Sequence, residues 1–247
     1  MEGLIFQAKT RYVPHEQITQ WTTLACASWA IDDGPIQSVS LANKPSKFKA
    51  DERDDLCVVK RLHELLMLGA DGDVVFVGQN INRFDIRKIE ARCIHHRLDP
   101  LPQLTTVDTL LQARKFGFDY YRLDYLDWHL HGKGKVQHRG FPMWRDIASK
   151  RSSFASKRQA LKEMVHYCEG DIECLRRVFT TLRPYFKRFP NQAIGGGERC
   201  PNCGSKAFRS NPSWYTDKRT GRYPRYRCND CKKWFTGTHR FSRALVA

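Results

Sequence analysis

Four cysteines near the end of the chain have the spacing of a metal site. Cys200 and Cys203 form one Cys-x-x-Cys pair, and 24 residues separate it from a second pair, Cys228 and Cys231. Each pair can bend its backbone so that two thiolates reach one ion, and two pairs supply the four sulfurs of a closed tetrahedral zinc site. We predict a structural zinc ion here, because a thioredoxin-type redox pair would need a strand-to-helix context that this segment lacks.

Two acidic residues earlier in the chain could hold a divalent cation. Asp85 begins a predicted helix just after a predicted strand, so it lies where open α/β sheets bind their ligands; alternatively it only satisfies free amides at the helix start. Tyr167 and Asp171 are four residues apart in a helical pattern and therefore share one face. A carboxylate on the apolar side of a helix is costly unless it is paired or holds a metal. This cost makes Asp171 a candidate metal ligand.

The elements that must position these residues follow from hydrophobic period. Strands are predicted from Thr22 to Ile31 and from 36 to 41, joined by a turn at Asp32 and Asp33, and a buried strand from 73 to 79. Apolar residues at helical spacing predict four helices, over residues 51–68, 84–98, 107–113 and 156–187. We expect the last helix to be interrupted or bent near Gly170. Residues 132–135 are predicted to be loop.

The charge of the chain indicates a polyanionic partner. There are 42 lysines and arginines against 26 acidic residues, and from Gly195 onward twelve against three. A single-sign field of this kind concentrates nucleic acid, although a solubilising face is the simpler alternative. Bases could stack on the rings and phosphates could pair with the guanidiniums of the segment between the cysteine pairs. The candidate nucleic-acid-binding residues are Trp214, Tyr215, Arg222, Tyr223, Arg225, Tyr226 and Arg227.

These motifs together resemble a known family. Asn80-x-x-x-Phe84-Asp85 and Tyr167-x-x-x-Asp171 are similar to the second and third motifs of the DEDD-type 3′-5′ exonucleases of the ribonuclease H-like superfamily, in the subgroup with tyrosine. Val107-Asp108-Thr109 resembles the strand and helix start that often follow. The stretch 126–144 resembles phage-type members, some of which also end in a zinc ribbon. The likeness covers most of residues 1–187.

The resemblance implies a fold and a mechanism. It implies a ribonuclease H-like mixed sheet with flanking helices, followed by a small zinc β-ribbon. Asp85 and Asp171 would bind Mg²⁺ or Mn²⁺, Tyr167 would orient the attacking water, and Asn80 would support the site. Two ions would stabilise the attacking and leaving oxygens of a phosphodiester hydrolysis. The absence of a histidine-rich cluster agrees with a hard cation held by carboxylates.

The chain departs from the family's pattern at the first motif. That motif is an Asp-x-Glu on the opening central strand, and none occurs near this amino terminus. Asp32 and Asp33 lie in a predicted turn, so we do not expect them to substitute for it. The chain is therefore either a truncated reading of an exonuclease or a nuclease repurposed as a non-catalytic nucleic-acid-binding protein, and the retained motif residues favour truncation.

The remaining predictions concern organisation and location. We expect an exonuclease-like domain over 1–190, a glycine-rich linker over 191–197 and a basic zinc ribbon over 198–247. No apolar run is long enough to span a bilayer, and the amino terminus does not read as a secretory signal, which predicts a cytoplasmic protein without a membrane partner. Single-stranded DNA and RNA remain equally possible partners, because stacking and phosphate contacts do not distinguish them.

Overall fold

A computed structural model describes residues 23–41, 54–149, 151–187, 189–193 and 198–238. The chain divides into two compact units, Met1–Arg177 and Val178–Ala247. The described residues form a mixed α/β protein with helices and three small sheets. Within this described part no helix has the length and apolar character needed to cross a membrane. Residues 194–197, which hold the predicted glycine linker, lie outside the described ranges.

The first unit opens with the predicted hairpin, which is confirmed. Strand β1 (Cys26–Trp29) pairs antiparallel with β2 (Gln37–Ser40), and residues 32–34 form the turn between them. Helix α1 (Leu56–Met67) buries its predicted apolar stripe, including Val59 and Leu62. The hairpin and α1 contribute to one hydrophobic core. Apolar side chains from one face of the strands and from one stripe of the helix are buried in it together.

Helix α2 (Asp85–His95) is tied to α1 by a buried ion cluster that the sequence analysis did not identify. The Asp55 side chain has no exposed surface, and Arg92 donates to it through Nε at 2.9 Å and through Nη2 at 2.7 Å. His96 Nε2 lies 2.6 Å from the same carboxylate, which also accepts the Leu24 backbone N–H at 2.7 Å. The hydrogen bonds from Arg92 and His96 outweigh the opposing effect of burial and hold the pKa of Asp55 below its ordinary value.

A parallel strand pair carries the first candidate residues. Strand β3 (Val75–Gly78) pairs with β4 (Thr105–Asp108), and Gly78 lies opposite Asp108. The prediction of helix throughout 107–113 is wrong at its start, because Asp108 ends the strand and caps helix α3 (Thr109–Ala113). Its carboxylate accepts hydrogen bonds from the backbone N–H groups of Leu110 and Leu111. Asp108 is therefore the N-cap residue, which precedes the first helical residue.

Three further helices follow, and the last of them ends in the second unit, because its residues from Val178 onward belong there. These are α4 (Leu123–His131), α5 (Phe141–Ala148) and α6 (Phe154–Leu182), and residues 132–140 between the first two are loop, as predicted for 132–135. Helix α6 continues through Gly170, so the predicted interruption is wrong. A glycine there is explained by close packing, since a Cβ would lie 2.4 Å from Val136 Cγ2.

The predicted single mixed sheet is not present within the described part of the first unit. Its strands form two separate two-stranded sheets, the antiparallel β1–β2 and the parallel β3–β4. These two sheets do not test the ribonuclease H-like fold as a whole, so that fold stays a prediction. What the structure provides is a pair of parallel strands whose carboxyl ends, at Gly78 and Asp108, lie side by side.

The second unit contains a three-stranded antiparallel sheet. Strand β6 (Gly221–Cys228) lies between β5 (Phe208–Lys218) and β7 (Trp234–Thr236). A hydrophobic cluster next to this sheet has Cys200, Cys228 and Phe235 at its buried centre. The side chains packed against them are Cys203, Phe208, Tyr226 and Cys231. Most of this small core is therefore made of the four predicted metal ligands and of the rings next to them.

Candidate active site and candidate metal centre

The carboxyl ends of β3 and β4 hold one group of candidate residues. Asn80 follows β3 with a left-handed backbone (φ 62°), and its N–H donates to Asp108 Oδ1 at 3.0 Å. Asparagine tolerates this conformation better than most residues, so part of its role is to form the turn. The Thr109 hydroxyl closes the turn, because it donates its one proton to Gln79 Oε1 at 2.6 Å and lies 3.1 Å from Gly78 O.

Asp85 is the first residue of α2 and belongs to the same end of the sheet. The residue as a whole is exposed, but surrounding protein removes enough water from its carboxyl to raise the pKa to about 6, and the charge of Asp108 acts in the same direction. Asp108 Oδ2 is buried and has no hydrogen-bond partner among the described residues. A cation between these two carboxyl groups would stabilise the charge on both.

Tyr167 and Asp171 form the second group, and Lys135 joins them. The Lys135 ammonium donates to Asp171 Oδ2 at 2.9 Å and to the Tyr167 hydroxyl at 3.4 Å, so both side chains lie on the face of α6 that meets the loop after α4. Asp171 Oδ1 is buried without a partner among the described residues. Burial, followed by the charge of Asp171, raises the pKa of Tyr167, which therefore stays protonated near neutral pH.

Neighbouring elements hold this face of α6 in place. The Ser38 hydroxyl of β2 donates to Glu169 Oε1 at 2.7 Å, and Cys26 Sγ of β1 lies 3.5 Å from Cys168 Sγ. The His138 ring packs edge-on against Tyr167 with centroids 4.5 Å apart. The hairpin and the loop after α4 thus fix the turn of helix between Tyr167 and Asp171.

The structure brings the predicted residues together in two groups. Asn80 and Asp85 lie with Asp108 at the strand ends, and Tyr167 and Asp171 lie with Lys135 on α6. Within the described ranges no hydrogen bond or ion pair joins one group to the other. The sequence analysis placed Lys135 in a loop and gave it no role, because nothing in its local pattern indicates which distant carboxylate it contacts.

The contact at Gly170 gives a testable prediction about this face. We expect Gly170→Ala to lower the free energy of unfolding by about 1–2 kcal/mol, because displacing Val136 should cost more than the gain in helix propensity. Chemical denaturation measures the change. Gly117→Ala is the matched control, since its Cβ would meet nothing within 4 Å. A Gly170→Ala protein at least as stable as the parent would contradict the close contact.

The four cysteines of the second unit do converge. Their sulfurs all lie within 4.8 Å of one another, with Cys200 Sγ 3.6 Å from Cys231 Sγ and Cys203 Sγ 3.6 Å from Cys228 Sγ. Burial, with a contribution from the neighbouring sulfurs, raises the pKa of Cys200 and of Cys203, whereas at Cys231 burial is outweighed by hydrogen bonds, which lower the pKa to about 7. Such a cluster cannot hold several thiolates without a cation, and its sulfur spacing fits a tetrahedral ion such as Zn²⁺. In the described part of the chain it is the only group of three or more ligand side chains within reach of one ion.

The surface of the three-stranded sheet pairs cations with rings. Arg222 lies over the Tyr215 ring at 3.9 Å, and Lys218 lies over the Tyr223 ring at 4.9 Å. Tyr226 differs from the other predicted stacking residues, because its ring packs against Phe208 and Phe235 in the core. Of the predicted stacking tyrosines, Tyr215 and Tyr223 therefore lie on the surface of the sheet, whereas Tyr226 is part of its core.

Further candidate binding residues lie beside Trp234, a residue that the sequence analysis did not include. Trp214 packs edge-on against Trp234 with centroids 4.7 Å apart. The guanidiniums of Arg225 and Arg227 lie 5.3 Å and 5.9 Å from the Trp234 ring centroid. Trp234 lies three residues after Cys231 and directly after Lys232 and Lys233, and an aromatic residue beside two lysines was the sequence signal that could have found it.

Comparison with protein-family models and with curated proteins identifies no relative of this chain. No protein-family model matches the chain, and no curated protein matches it in sequence. Its function is therefore inferred from the residues and their geometry.

Proposed function

We propose that this chain is a metal-dependent 3′-5′ exonuclease that hydrolyses phosphodiester bonds of single-stranded nucleic acid and holds the strand with a basic zinc ribbon. The observation that carries the proposal is the arrangement of Tyr167 and Asp171, one helical turn apart and both within reach of the Lys135 ammonium. A phenol, a carboxylate and a cation at one surface suit a reaction that moves a proton and develops negative charge on phosphate oxygens.

The carboxylates fit a hard divalent cation. Among the described residues, one buried oxygen of Asp171 has no hydrogen-bond partner. Burial raises the pKa of Asp85, and a nearby positive charge would favour its ionised form. Mg²⁺ is commonly held by one or two carboxylates and completes its coordination with water and substrate phosphate. When bound, such an ion would stabilise the attacking and leaving oxygens.

The protein's own residues would orient the reactants. Tyr167, kept protonated by its raised pKa, can donate a hydrogen bond to an attacking water or accept one from it. Lys135 would leave Asp171 for the phosphate when the strand arrives, because both anions compete for one ammonium. Asn80 and Asp108 would keep the turn before Asp85 rigid through the bond from the Asn80 N–H.

The test is shortening of an end-labelled oligonucleotide in the presence of Mn²⁺. We expect Asp171→Asn to reduce the rate by more than about 100-fold, since even groups that only support a metal ligand contribute about 10- to 100-fold. Glu173→Gln is the matched control, because that acid lies exposed on the same helix, and its ion pair within the described residues is a 4.0 Å contact with Arg177. Shortening that persists in Asp171→Asn would disprove the proposed site.

The pH dependence has a defined direction. A carboxylate binds a metal only when ionised, and the pKa of Asp85 is about 6 before metal binding. The Mn²⁺ concentration needed for half-maximal activity should therefore rise as the pH falls through about 6, and Asp85→Asn should remove that dependence together with most of the activity.

A second candidate function is non-catalytic binding of nucleic acid. It is favoured by the Lys135–Asp171 ion pair, which already supplies the positive charge that a metal would bring. Under this reading the parent chain binds the oligonucleotide in a salt-sensitive manner but does not shorten it with either Mg²⁺ or Mn²⁺.

A further inference from the structure

A basic cavity of about 460 Å³ lies in the second unit, on one side of the metal-ligand cluster. Its lining residues are Pro184, Tyr185, Arg227, Lys232, Lys233 and Trp234. Three of these side chains are cations and none is acidic. The volume is within the range of about 300–1,000 Å³ that is usual for small-molecule sites.

The positive charge of the cavity is only partly used within the protein. Arg227 Nε is buried and has no hydrogen-bond partner among the described residues. The Lys232 ammonium donates to Asn229 O, and the Lys233 ammonium donates to Phe186 O at 2.6 Å. Both lysines thus contact neutral carbonyls, and no ion pair within the described residues neutralises any of the three cations. An anion would complete their interactions.

Two aromatic rings border the same cavity. Trp234 is 41% exposed and Tyr185 is 66% exposed, so part of each ring surface is open to solvent beside the three cations. The edge-on contact with Trp214 fixes the Trp234 ring while leaving part of its surface open. A flat ligand could therefore stack against either ring beside the cations.

We propose that this cavity binds one nucleotide unit of a single-stranded nucleic acid, with its base stacked on Trp234 or Tyr185 and its phosphate on Arg227 and Lys232. The inference rests on the proposed function for the class of ligand, but not on the cleavage chemistry. Charge alone would also suit an acidic peptide. The two exposed rings favour the nucleotide, because every base offers a flat face for stacking whereas a carboxylate does not.

Fluorescence anisotropy of a labelled oligothymidylate of about ten nucleotides tests the proposal with the full zinc-loaded chain and no added Mg²⁺ or Mn²⁺. We expect Trp234→Ala and Tyr185→Ala each to weaken binding by about 5- to 100-fold, the usual effect of losing one stacked base. Trp234→Phe, which keeps a ring, should recover most of the affinity. Trp128→Ala is the matched control, because that tryptophan is 60% exposed on helix α4 of the first unit; we expect it to change affinity by less than about 2-fold.

The phosphate contact has its own readout. Lys232→Ala should reduce the slope of log affinity against log salt by about one, measured between about 50 and 200 mM salt. Zinc content is measured for every variant, and Tyr185→Ala together with Trp234→Phe keeps the test valid if Trp234→Ala fails to retain zinc.

The outcomes separate this proposal from the proposed function. Unchanged affinity in Tyr185→Ala and Trp234→Ala, with zinc retained, would overturn the nucleotide site even if the chain cleaves DNA. A polyglutamate peptide that displaces the oligonucleotide at equal concentration would overturn it in favour of an acidic partner. Weakened binding in the ring variants of a chain that never shortens DNA would support the site and disprove only the exonuclease.

Discussion

Replacing Cys200 and Cys203 by serine is expected to remove nearly all zinc from a chain that otherwise carries about one equivalent, and to unfold the three-stranded sheet. Two sulfurs remain in the variant, too few for a closed site. The consequence is large because Cys200 and Cys228 supply two of the three side chains at the buried centre of the sheet. Apparent binding free energies of structural zinc are about 10–16 kcal/mol at neutral pH, more than so small a core provides.

Metal analysis and near-ultraviolet circular dichroism check this expectation. The near-ultraviolet signal from Phe208, Tyr226 and Trp234 should be lost with the metal. The far-ultraviolet signal from the helices of the first unit should persist. Cys57→Ser is the matched control, since this free, half-buried cysteine lies in α1. A double variant that keeps a full equivalent of zinc would show that the ion is bound elsewhere.

We expect Asp55→Ala to lower the free energy of unfolding by about 3–5 kcal/mol, the usual cost of removing one partner from a buried ion pair. The Asp55 carboxylate is fully buried and holds Arg92, His96 and the Leu24 N–H at once. Without it, a buried guanidinium loses two hydrogen bonds that water cannot replace. The loss is measured by denaturant unfolding near neutral pH.

Comparison with a surface pair tests whether burial is the cause. Glu64→Ala removes the partner of Arg61 in an ion pair whose side chains are 49% and 63% exposed, and should cost less than about 1 kcal/mol. Replacing Asp55 and Arg92 together by leucine and methionine should recover only part of the stability, because no unpaired guanidinium remains but His96 and the Leu24 N–H still lose their partner. Equal effects of Asp55→Ala and Glu64→Ala would contradict the buried cluster.

The same cluster predicts a pH dependence. The pKa of Asp55 is lowered in the folded chain from an ordinary value of 3.8. Its stabilisation is therefore complete above about pH 4 and is lost as the pH falls further, towards the folded-state pKa. The difference in stability between the parent and Asp55→Ala should shrink only in this acidic range.

The hydrophobic pattern of the sequence predicted those helices and strands that bury one continuous stripe of apolar side chains. The hairpin, α1, β3, α2 and α6 were predicted because apolar residues recur in them at strand or helix spacing over several turns. Hydrophobic period missed strand β4 (Thr105–Asp108), and only the family resemblance indicated a strand end at Val107 and Asp108, because the four residues contain one apolar side chain and lead directly into a helix. Short elements of this kind are fixed by their neighbour, here β3, rather than by their own pattern.

The candidate site was predictable only where its residues are close in sequence. Tyr167 and Asp171, like the cysteine pairs, share a local spacing that fixes their geometry. Lys135 contacts Asp171 from 36 residues away, and no local pattern identifies that partner. The Asp55 cluster was missed for a similar reason, although Arg92 and His96, four residues apart on α2 next to the buried Cys93, were a sign of a buried anion.

The ring–cation pairs on the three-stranded sheet have a thermodynamic consequence for any ligand. Arg222 is already stacked on Tyr215 and held by Asp217 at 3.0 Å, and Arg225 lies over Trp234. Immobilising a flexible side chain on association costs about 0.5–1.5 kcal/mol, and here folding has met part of that entropy loss in advance. If a nucleic-acid strand binds this surface as proposed, it would meet preorganised groups, and calorimetry should find a smaller entropic penalty than freely rotating arginines would impose.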